Sequence, residues 1–221
     1  DGVTVNKHQI KQLINKKNPV IFEVGCADGV DTLEFLEVFG SDLTIYCFEP
    51  DERNAEVFVN GGHRPLIPNV TKGIKQANVI FEKKAMGSEN GLVEFNQSTT
   101  IYSSSLKKPT ENLFKTWDSI KFENVLEVES VTLDKYVSDN DIGIIDFMWA
   151  DVQGAEDMLI TGGVNTFATK VRFLYTEYAQ TINQSYYEDS PDRNKLLELL
   201  GDNWEVLHDF GTDILLRNKA L

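Results

Sequence analysis

Hydrophobic residues occur along this chain in two alternating patterns. Near-continuous apolar runs such as "VIFEVG" (20–25), "LTIYCFEP" (43–50) and "IGIIDFMWADV" (142–152) are typical of parallel strands that are buried on both faces. The stretches between them, such as "DTLEFLEVFG" (31–40), place Leu and Phe at helical spacing. Regular alternation of strand and helix predicts an α/β fold with an open, mostly parallel sheet and helices on both faces.

The same patterns predict the remaining elements. Further helices are expected over 7–17, 51–62, 154–167 and 191–201, and further strands over 78–87, 91–98, 171–179 and a closing antiparallel hairpin over 204–218. Residues 125–137 read as a strand that becomes a helix, with Thr132 as a plausible N-cap. The polar stretch 63–78 is expected to be a loop, and 110–122 a mobile segment or a short helix.

Proline, glycine and capping residues predict the helix boundaries. Pro19 is expected to end the first helix, and Asp51 to cap a helix that Gly61 and Gly62 close. Pro191 is expected at the start of the last helix.

Composition and charge narrow the class of protein. A chain of 221 residues, 41% hydrophobic, fits a single domain over 1–221 with a substantial core. A net charge of −14 argues against nucleic acid and anionic membranes, which both attract clustered Lys and Arg. No apolar run approaches the ~20 residues that cross a bilayer.

The N-terminal sequence and the two cysteines favour a cytoplasmic location. The N-terminus has neither a basic start nor an apolar signal core, and it lacks an initiator Met, so the chain can be trimmed or part of a longer one. Cys26 and Cys47 lie in or beside predicted strands and are expected to be buried, reduced thiols.

The loop after the first strand, "GCADG", raises the question of which nucleotide it binds. A dinucleotide loop needs small residues at its first, third and sixth positions, which here are Gly25, Ala27 and Val30. The branched side chain of Val30 fits the sixth position poorly. The spacing acid-x-Gly-x-small-x-Gly is met by Glu23, Gly25, Ala27 and Gly29, which favours S-adenosylmethionine. A tight turn without a ligand is the alternative.

The ends of the second and third strands supply further candidates. Glu49, followed by Pro50, lies 20 residues beyond Gly29, where a carboxylate can accept hydrogen bonds from ribose hydroxyls. A solvated acid before a helix is the alternative. Ala85 and Met86, after the third strand, offer an apolar surface and backbone groups to an adenine ring.

Acidic residues follow the fourth and fifth strands. Asp151 is expected where the sulfonium end of the donor meets the acceptor, with Glu156 one turn further on and Glu177 at the neighbouring strand end. Asp151 and Glu177 could take a proton from a hydroxyl or bind a divalent cation. The alternative is that one caps a helix or pairs with Arg172. His8, His63 and His208 are interpreted as structural or exposed, although His208 could act as a base if the hairpin bent over the site.

Several motifs in order along the chain resemble those of the FkbM-type S-adenosylmethionine methyltransferases. They are "FEVGCADG", "CFEP", "KKAMGSENGLVEF", "SSSL", "VTLDKY" and "IDFMWADVQGAEDMLITGG". The resemblance covers roughly residues 18–180, and the segment around Asp151 is its most specific part. It implies a seven-stranded Rossmann-like class I methyltransferase fold, and known members are mostly O-methyltransferases of sugars or polyketide hydroxyls.

The resemblance also implies roles for individual residues. Glu23, Gly25, Ala27 and Gly29 would hold the methionine part of the donor, Glu49 the ribose, and Ala85 with Met86 the adenine. The complete set of expected donor-binding residues is Glu23, Gly25, Cys26, Ala27, Asp28, Gly29, Glu49, Pro50, Ala85, Met86 and Asp151. Ser104 and Ser105 would lie near the acceptor. The family commonly has Glu at the position of Gln153, and often a basic residue at that of Trp149.

The sequence therefore predicts transfer of a methyl group from S-adenosylmethionine to a hydroxyl of a sugar, glycan or related small molecule. Asp151 or Glu177 would deprotonate the hydroxyl, directly or through a cation that both bind. Two alternatives are an NAD-dependent oxidoreductase of similar architecture and a non-catalytic module that binds S-adenosylmethionine. The aromatic residues Tyr102, Phe114, Trp117, Tyr186 and Tyr187 could stack on a sugar or could serve packing alone.

Overall fold

The computed structural model describes residues 4–180 and 184–221. The strands are β1 (Val20–Val24), β2 (Thr44–Phe48), β3 (Val79–Glu82), β4 (Ala85–Met86), β5 (Gly91–Ser98), β6 (Phe122–Val131), β7 (Phe147–Ala150), β8 (Phe173–Glu177), β9 (Trp204–Asp209) and β10 (Asp213–Asn218). The helices are α1 (Lys7–Ile14), α2 (Val30–Phe39), α3 (Glu52–Asn60), α4 (Glu111–Thr116), α5 (Leu133–Asp139), α6 (Glu156–Thr161), α7 (Val164–Thr169) and α8 (Arg193–Leu200).

Seven strands form the main sheet, in the order β3-β2-β1-β7-β8-β10-β9. Strands β3, β2, β1, β7 and β8 pair in parallel, and β10 is antiparallel to both of its neighbours. The predicted α/β fold with a mostly parallel seven-stranded sheet and a closing hairpin is confirmed. A second sheet of three strands, in the order β4-β6-β5, lies outside it.

Hydrophobic cores cover both faces of the main sheet. Successive strand residues point to opposite faces, so Ile21 and Phe147 enter one core while Phe22 and Met148 enter the other. This two-sided burial is the reason that the parallel strands read as near-continuous apolar runs. Within the described residues, no helix is long and apolar enough to span a membrane.

The single strand predicted over 78–87 is wrong. Its first part, β3, pairs with β2 and ends at Glu82. The two lysines that follow leave the main sheet, and Ala85 and Met86 pair with Ser130 and Val131 of β6 in the smaller sheet. The apolar pattern was continuous, but the charged pair Lys83–Lys84 marks the point where the chain changes sheets.

The single helix predicted over 154–167 is also wrong, because α6 and α7 are separate helices. The break falls at Gly162 and Gly163. A Cβ atom on Gly162 would lie 2.1 Å from the carbonyl oxygen of Gly87. The glycine is thus needed for a close backbone approach between this turn and the loop after β4.

Several helix ends differ slightly from the prediction. Helix α1 stops before Pro19, at Asn15, whose backbone is left-handed with φ 44°. Helix α8 begins at Arg193 with Asp192 as its N-cap, so Pro191 lies outside it. The caps predicted at Asp51 and Thr132 are confirmed, because their side chains accept hydrogen bonds from backbone N–H groups of the first helical turn.

Candidate active site

The chain turns sharply between β1 and α2. Gly25 (φ 85°), Ala27 (φ 47°) and Gly29 (φ 90°) all have left-handed backbones, a conformation that glycine adopts most readily. A Cβ atom on Gly25 would lie 1.8 Å from the carbonyl oxygen of Asp151. Gly25 therefore lets the loop after β1 touch the loop after β7, and this contact brings the two strand ends together.

Glu49, at the end of β2, is held by that same loop. One carboxylate oxygen accepts a hydrogen bond from the Ala27 N–H at 3.0 Å, and the other accepts one from the Asp51 N–H at 2.7 Å. Burial raises the pKa of Glu49 to about 8. The two hydrogen bonds fix the side chain in position, and burial leaves its carboxylate poorly solvated.

A cavity of about 620 Å³, open to solvent, lies at the carboxyl edge of the sheet. We call it the donor cavity. The predicted residues that line it are Gly25, Ala27, Glu49, Pro50, Ala85, Met86 and Asp151.

Four predicted residues, Glu23, Cys26, Asp28 and Gly29, are outside the walls of the donor cavity. Glu23 is buried, accepts a hydrogen bond from the Thr32 hydroxyl, and has its pKa raised by desolvation. Gly29 is packed against Phe58 and Ile74. Cys26 and Asp28 are buried as well. The structure therefore places these four residues where they support the loop from behind.

One wall of the donor cavity comes from a segment that sequence reasoning did not assign to it, residues 101–106. Ile101, Tyr102, Ser104, Ser105 and Leu106 all line the cavity. Ser104 and Ser105, expected near the acceptor, thus face the donor cavity. We call residues 101–106 the wall segment.

Hydrogen bonds fix the wall segment to the loops that follow β1 and β7. The Tyr102 hydroxyl donates to the Asp28 carboxylate at 2.8 Å, and the Ser105 hydroxyl donates to the Gln153 carbonyl at 2.7 Å. The "SSSL" motif contained a signal for the Ser105 contact, since small hydroxyl side chains often bind backbone groups in turns. What the motif lacked was any indication of which surface they reach.

Asp151 follows β7 and lines the donor cavity. The Gln153 side-chain amide donates to its carboxylate at 2.6 Å, and the Gln153 side-chain oxygen in turn accepts from the Tyr187 hydroxyl at 3.2 Å. Burial raises the pKa of Asp151 to about 6. Gln153 thus orients an acid that can change protonation near neutral pH.

Further carboxylates surround Asp151. The negative charge of Asp151, together with burial, holds the pKa of Glu177 well above its usual range, and burial raises the pKa of Glu156 to about 7. Arg172 does not neutralise them, since it pairs with Asp146 at 3.0 Å. These acids therefore compete for protons, which suits them to accept one from a neutral hydroxyl.

The other candidates lie away from this edge. His8, His63 and His208 are exposed, and none lines the donor cavity. His208 lies against Phe210, with ring centroids 4.2 Å apart. Trp149 stacks on Tyr175 at 4.3 Å between ring centroids, with the Lys7 ammonium 3.6 Å from the Trp149 ring centroid.

A metal-binding cluster was one of the predicted possibilities for Asp151 and Glu177. Over residues 4–180 and 184–221, no group of three or more His, Cys, Asp or Glu side chains is arranged to hold a metal ion.

The sheet order, the glycine loop after β1, the acid after β2 and the acid after β7 together define a Rossmann-like class I methyltransferase. The family model described as "Methyltransferase FkbM domain" matches residues 15–211. The chain belongs to this family and is an S-adenosylmethionine-dependent methyltransferase. The oxidoreductase alternative is not favoured.

Comparison with known proteins shows a relative of clear similarity. The chain is 34% identical over 224 residues to the 2-O-methyltransferase NoeI of Sinorhizobium fredii (strain NBRC 101917 / NGR234), covering 96% of this chain and 85% of that protein.

Two solved structures align over most of the chain. A putative rRNA-methylase from Clostridium thermocellum has 11% identity and a TM-score of 0.44, with 97% of this chain and 95% of that one covered. The N-terminal domain of EvdMO1, determined in the presence of SAH and D-fucose, has 13% identity and a TM-score of 0.45, with 96% and 81% covered.

Proposed function

We propose that this protein transfers the methyl group of S-adenosylmethionine to a hydroxyl of a sugar, a glycan or a related small molecule, and that residues 1–221 form one catalytic domain. The observation that carries the proposal is the position of Asp151. Asp151 lines the donor cavity, and its negative charge raises the pKa of Glu177, which lines two neighbouring cavities. The similarity to a 2-O-methyltransferase supports oxygen as the methylated atom.

The walls of the donor cavity fit S-adenosylmethionine. Glu49 supplies a fixed carboxylate for the ribose hydroxyls, and Ala85 with Met86 supplies an apolar surface for adenine. Gly25 and Ala27 line the donor cavity together with Asp151, and the Gly25 backbone lies against the Asp151 carbonyl. The methionine part of the donor would bind there.

When bound, S-adenosylmethionine would supply a methyl group that is attached to a positively charged sulfur. Loss of this methyl group would leave S-adenosylhomocysteine, in which the sulfur is uncharged. Asp151 accepts the proton that the acceptor hydroxyl loses as its oxygen bonds to the methyl carbon. Glu177 raises the proton affinity of the pair and can receive the proton in turn. Positioning of the two reactants supplies most of the acceleration, up to roughly 7–11 kcal/mol for good alignment.

Two measurements test this proposal in sequence. Calorimetric titration with S-adenosylhomocysteine should show binding, and an absence of binding at millimolar ligand would contradict the donor assignment. Mass spectrometry of a glycan and metabolite pool, incubated with the protein and isotope-labelled donor, should then show labelled methyl ethers. Donor binding without labelling of any hydroxyl compound would favour a non-catalytic binding module.

A chelator tests the route of the proton. We expect turnover to persist in EDTA, since carboxylates accept the proton directly. A rate that falls in EDTA and returns on addition of Mg²⁺ would instead assign Asp151 and Glu177 to a cation.

A further inference from the structure

Tyr187 is an aromatic residue for which the sequence leaves open whether it stacks on a sugar or serves packing alone. It is 5% exposed, and its ring lies edge-on to that of Phe122, with ring centroids 6.4 Å apart. So small an exposed area favours packing over sugar stacking. The hydroxyl of Tyr187, however, reaches the candidate active site, because it lies 3.2 Å from the side-chain oxygen of Gln153.

The side-chain amide of Gln153 lies between Asp151 and Tyr187. Its nitrogen donates to the Asp151 carboxylate at 2.6 Å, and its oxygen accepts from the Tyr187 hydroxyl. An ionised carboxylate only accepts hydrogen bonds, so a reversed amide would place two acceptor oxygens against each other. The tyrosine hydroxyl is a donor that matches the amide oxygen in the observed orientation. Tyr187 and ionised Asp151 therefore favour the same orientation of Gln153.

The backbone around Gln153 fits closely against Tyr187. Gln153 has a left-handed backbone with φ 52°, and its carbonyl accepts from the Ser105 hydroxyl at 2.7 Å. Gly154 follows with φ 88°, and a Cβ atom there would lie 2.8 Å from the Cβ atom of Tyr187. The glycine therefore permits the close approach that brings the tyrosine to Gln153.

Further contacts fix the position of Tyr187. Its backbone pairs with Pro109 and donates to the Ser185 hydroxyl at 3.3 Å. Its hydroxyl also donates to the carbonyl of Ser103, in the wall segment, at 2.7 Å, so one proton is shared between this carbonyl and the Gln153 oxygen. Tyr187 therefore connects the wall segment with the residue that orients Asp151.

Acidic residues from four elements surround Asp151 and make its ionisation sensitive to Gln153. They are Asp31 of α2, which pairs with Lys7, Glu156 of α6, Glu177 of β8 and Asp213 of β10. Burial raises the pKa of Asp151 most, hydrogen bonding from the Gln153 side chain lowers it, and the negative charges of Asp31 and Asp213 raise it again. Burial also raises the pKa of Tyr187, which stays neutral. The Gln153 amide thus stabilises an ionised carboxylate that its acidic neighbours destabilise.

We propose that Tyr187 is a positioning residue for methyl transfer, which holds the NH₂ group of Gln153 against Asp151 and so keeps this carboxylate oriented as the proton acceptor. This inference rests on the proposed function, because it presupposes that Asp151 takes the proton of the acceptor hydroxyl. Tyr187 does not line the donor cavity. It acts on the reaction through Gln153.

The first test measures the ionisation of Asp151 in the full chain, without donor or acceptor. ¹³C NMR of protein labelled at the aspartate carboxyl carbons follows the titration, and Asp151→Asn assigns the signal. Tyr187→Phe should raise the midpoint by about half a pH unit, because a loosened amide stabilises the ionised carboxylate less. Tyr136→Phe is the matched control, since Tyr136 is 4% exposed and its hydroxyl donates to the Glu82 carboxylate at 3.0 Å. It should leave the midpoint unchanged.

A double-mutant cycle shows whether the effect of Tyr187 passes through Gln153. Gln153→Met keeps a side chain of similar length without the amide, and it should raise the midpoint more than Tyr187→Phe does. Addition of Tyr187→Phe to Gln153→Met should then cause no further rise. An unchanged midpoint in Tyr187→Phe, or an equal rise with and without the Gln153 amide, would overturn the positioning role.

The second test measures the initial rate of label transfer from isotope-labelled S-adenosylmethionine to the glycan and metabolite pool. Tyr187→Phe should be about threefold slower at about pH 5 and as fast as the unsubstituted protein at about pH 9, where Asp151 is ionised in both. Its affinity for S-adenosylhomocysteine should be unchanged. An equal loss of rate at both pH values, with weaker binding of S-adenosylhomocysteine, would show that Tyr187 only stabilises the wall segment. Absence of label transfer at every pH would overturn the proposed function, even if the NMR midpoints moved as expected.

Discussion

The donor cavity and the cavity beside Glu177, which we propose receives the acceptor, are lined in different ways. The donor cavity is lined by residues that directly follow β1, β2 and β7, by the short strand β4, and by the wall segment. The cavity beside Glu177 combines residues from α4, the end of β8, the 184–186 stretch and the closing hairpin. The donor side depends on backbone shape, and the acceptor side depends on side chains.

This difference has a physical reason. A cofactor that approaches the backbone requires left-handed turns and missing Cβ atoms, as at Gly25, and few sequences satisfy that requirement. A cleft of exposed amides and hydroxyls can be formed by many sequences. We therefore expect substitutions on the donor side to abolish binding broadly, and substitutions on the acceptor side to alter which molecule is methylated.

Asp151→Asn, at the junction of the two regions, is expected to have the largest effect on turnover. Loss of the proton acceptor should lower kcat by about 10²–10⁴-fold, while the affinity for S-adenosylhomocysteine, measured by calorimetry, stays within a few-fold. Asp157→Asn on α6 is the control, since Asp157 does not line the donor cavity. Unchanged turnover in Asp151→Asn would remove this residue from the mechanism.

The next effect concerns the donor cavity alone. Glu49→Ala should weaken S-adenosylhomocysteine binding on the order of 100-fold above pH 8, where Glu49 is ionised, because hydrogen bonds to charged groups contribute about 1.5–3 kcal/mol each. Glu52→Ala, at a side chain that is 69% exposed, should bind normally. Equal affinity in the two variants would show that Glu49 only stabilises the loop.

A smaller effect is expected where the wall segment is attached. Tyr102→Phe removes the hydrogen bond to buried Asp28, whose second carboxylate oxygen already lacks a partner among the described residues. The free energy of unfolding in urea should fall by about 1–3 kcal/mol. Tyr186→Phe, at a residue that is 42% exposed, should leave it unchanged. Equal stability of the two variants would mean that the wall segment is held by its other contacts.

The smallest effect is a shift in pH dependence. With the pKa of Asp151 raised to about 6, kcat should rise with pH through 6 and then level off, because the ionised carboxylate is the base. Gln153→Glu replaces a hydrogen-bond donor by a second negative charge, so the midpoint should move upward by about one pH unit. Gln12→Glu on exposed α1 is the control, and a midpoint unmoved by Gln153→Glu would separate Gln153 from the ionisation of Asp151.

Much of the fold was predictable because its strands are buried on both faces. The runs around Ile21, Ile45 and Phe147 contain enough apolar residues to indicate parallel strands without further information. The predicted secondary structure was wrong where one local sequence pattern is compatible with two tertiary arrangements. The apolar continuity across 78–87 did not show that Glu82 and Ala85 belong to different sheets.

The sequence by itself determined the α/β class, the glycine loop and the acids after β2 and β7, because each depends on residues close in the chain. Only the tertiary structure decided which of them face the cavity. Glu23 and Asp28 turn away into the protein, while Tyr102 and Ser105 arrive from more than 70 residues beyond β1. Long-range packing sets the directions of these side chains, and the pattern of neighbouring residues in the sequence does not predict that packing.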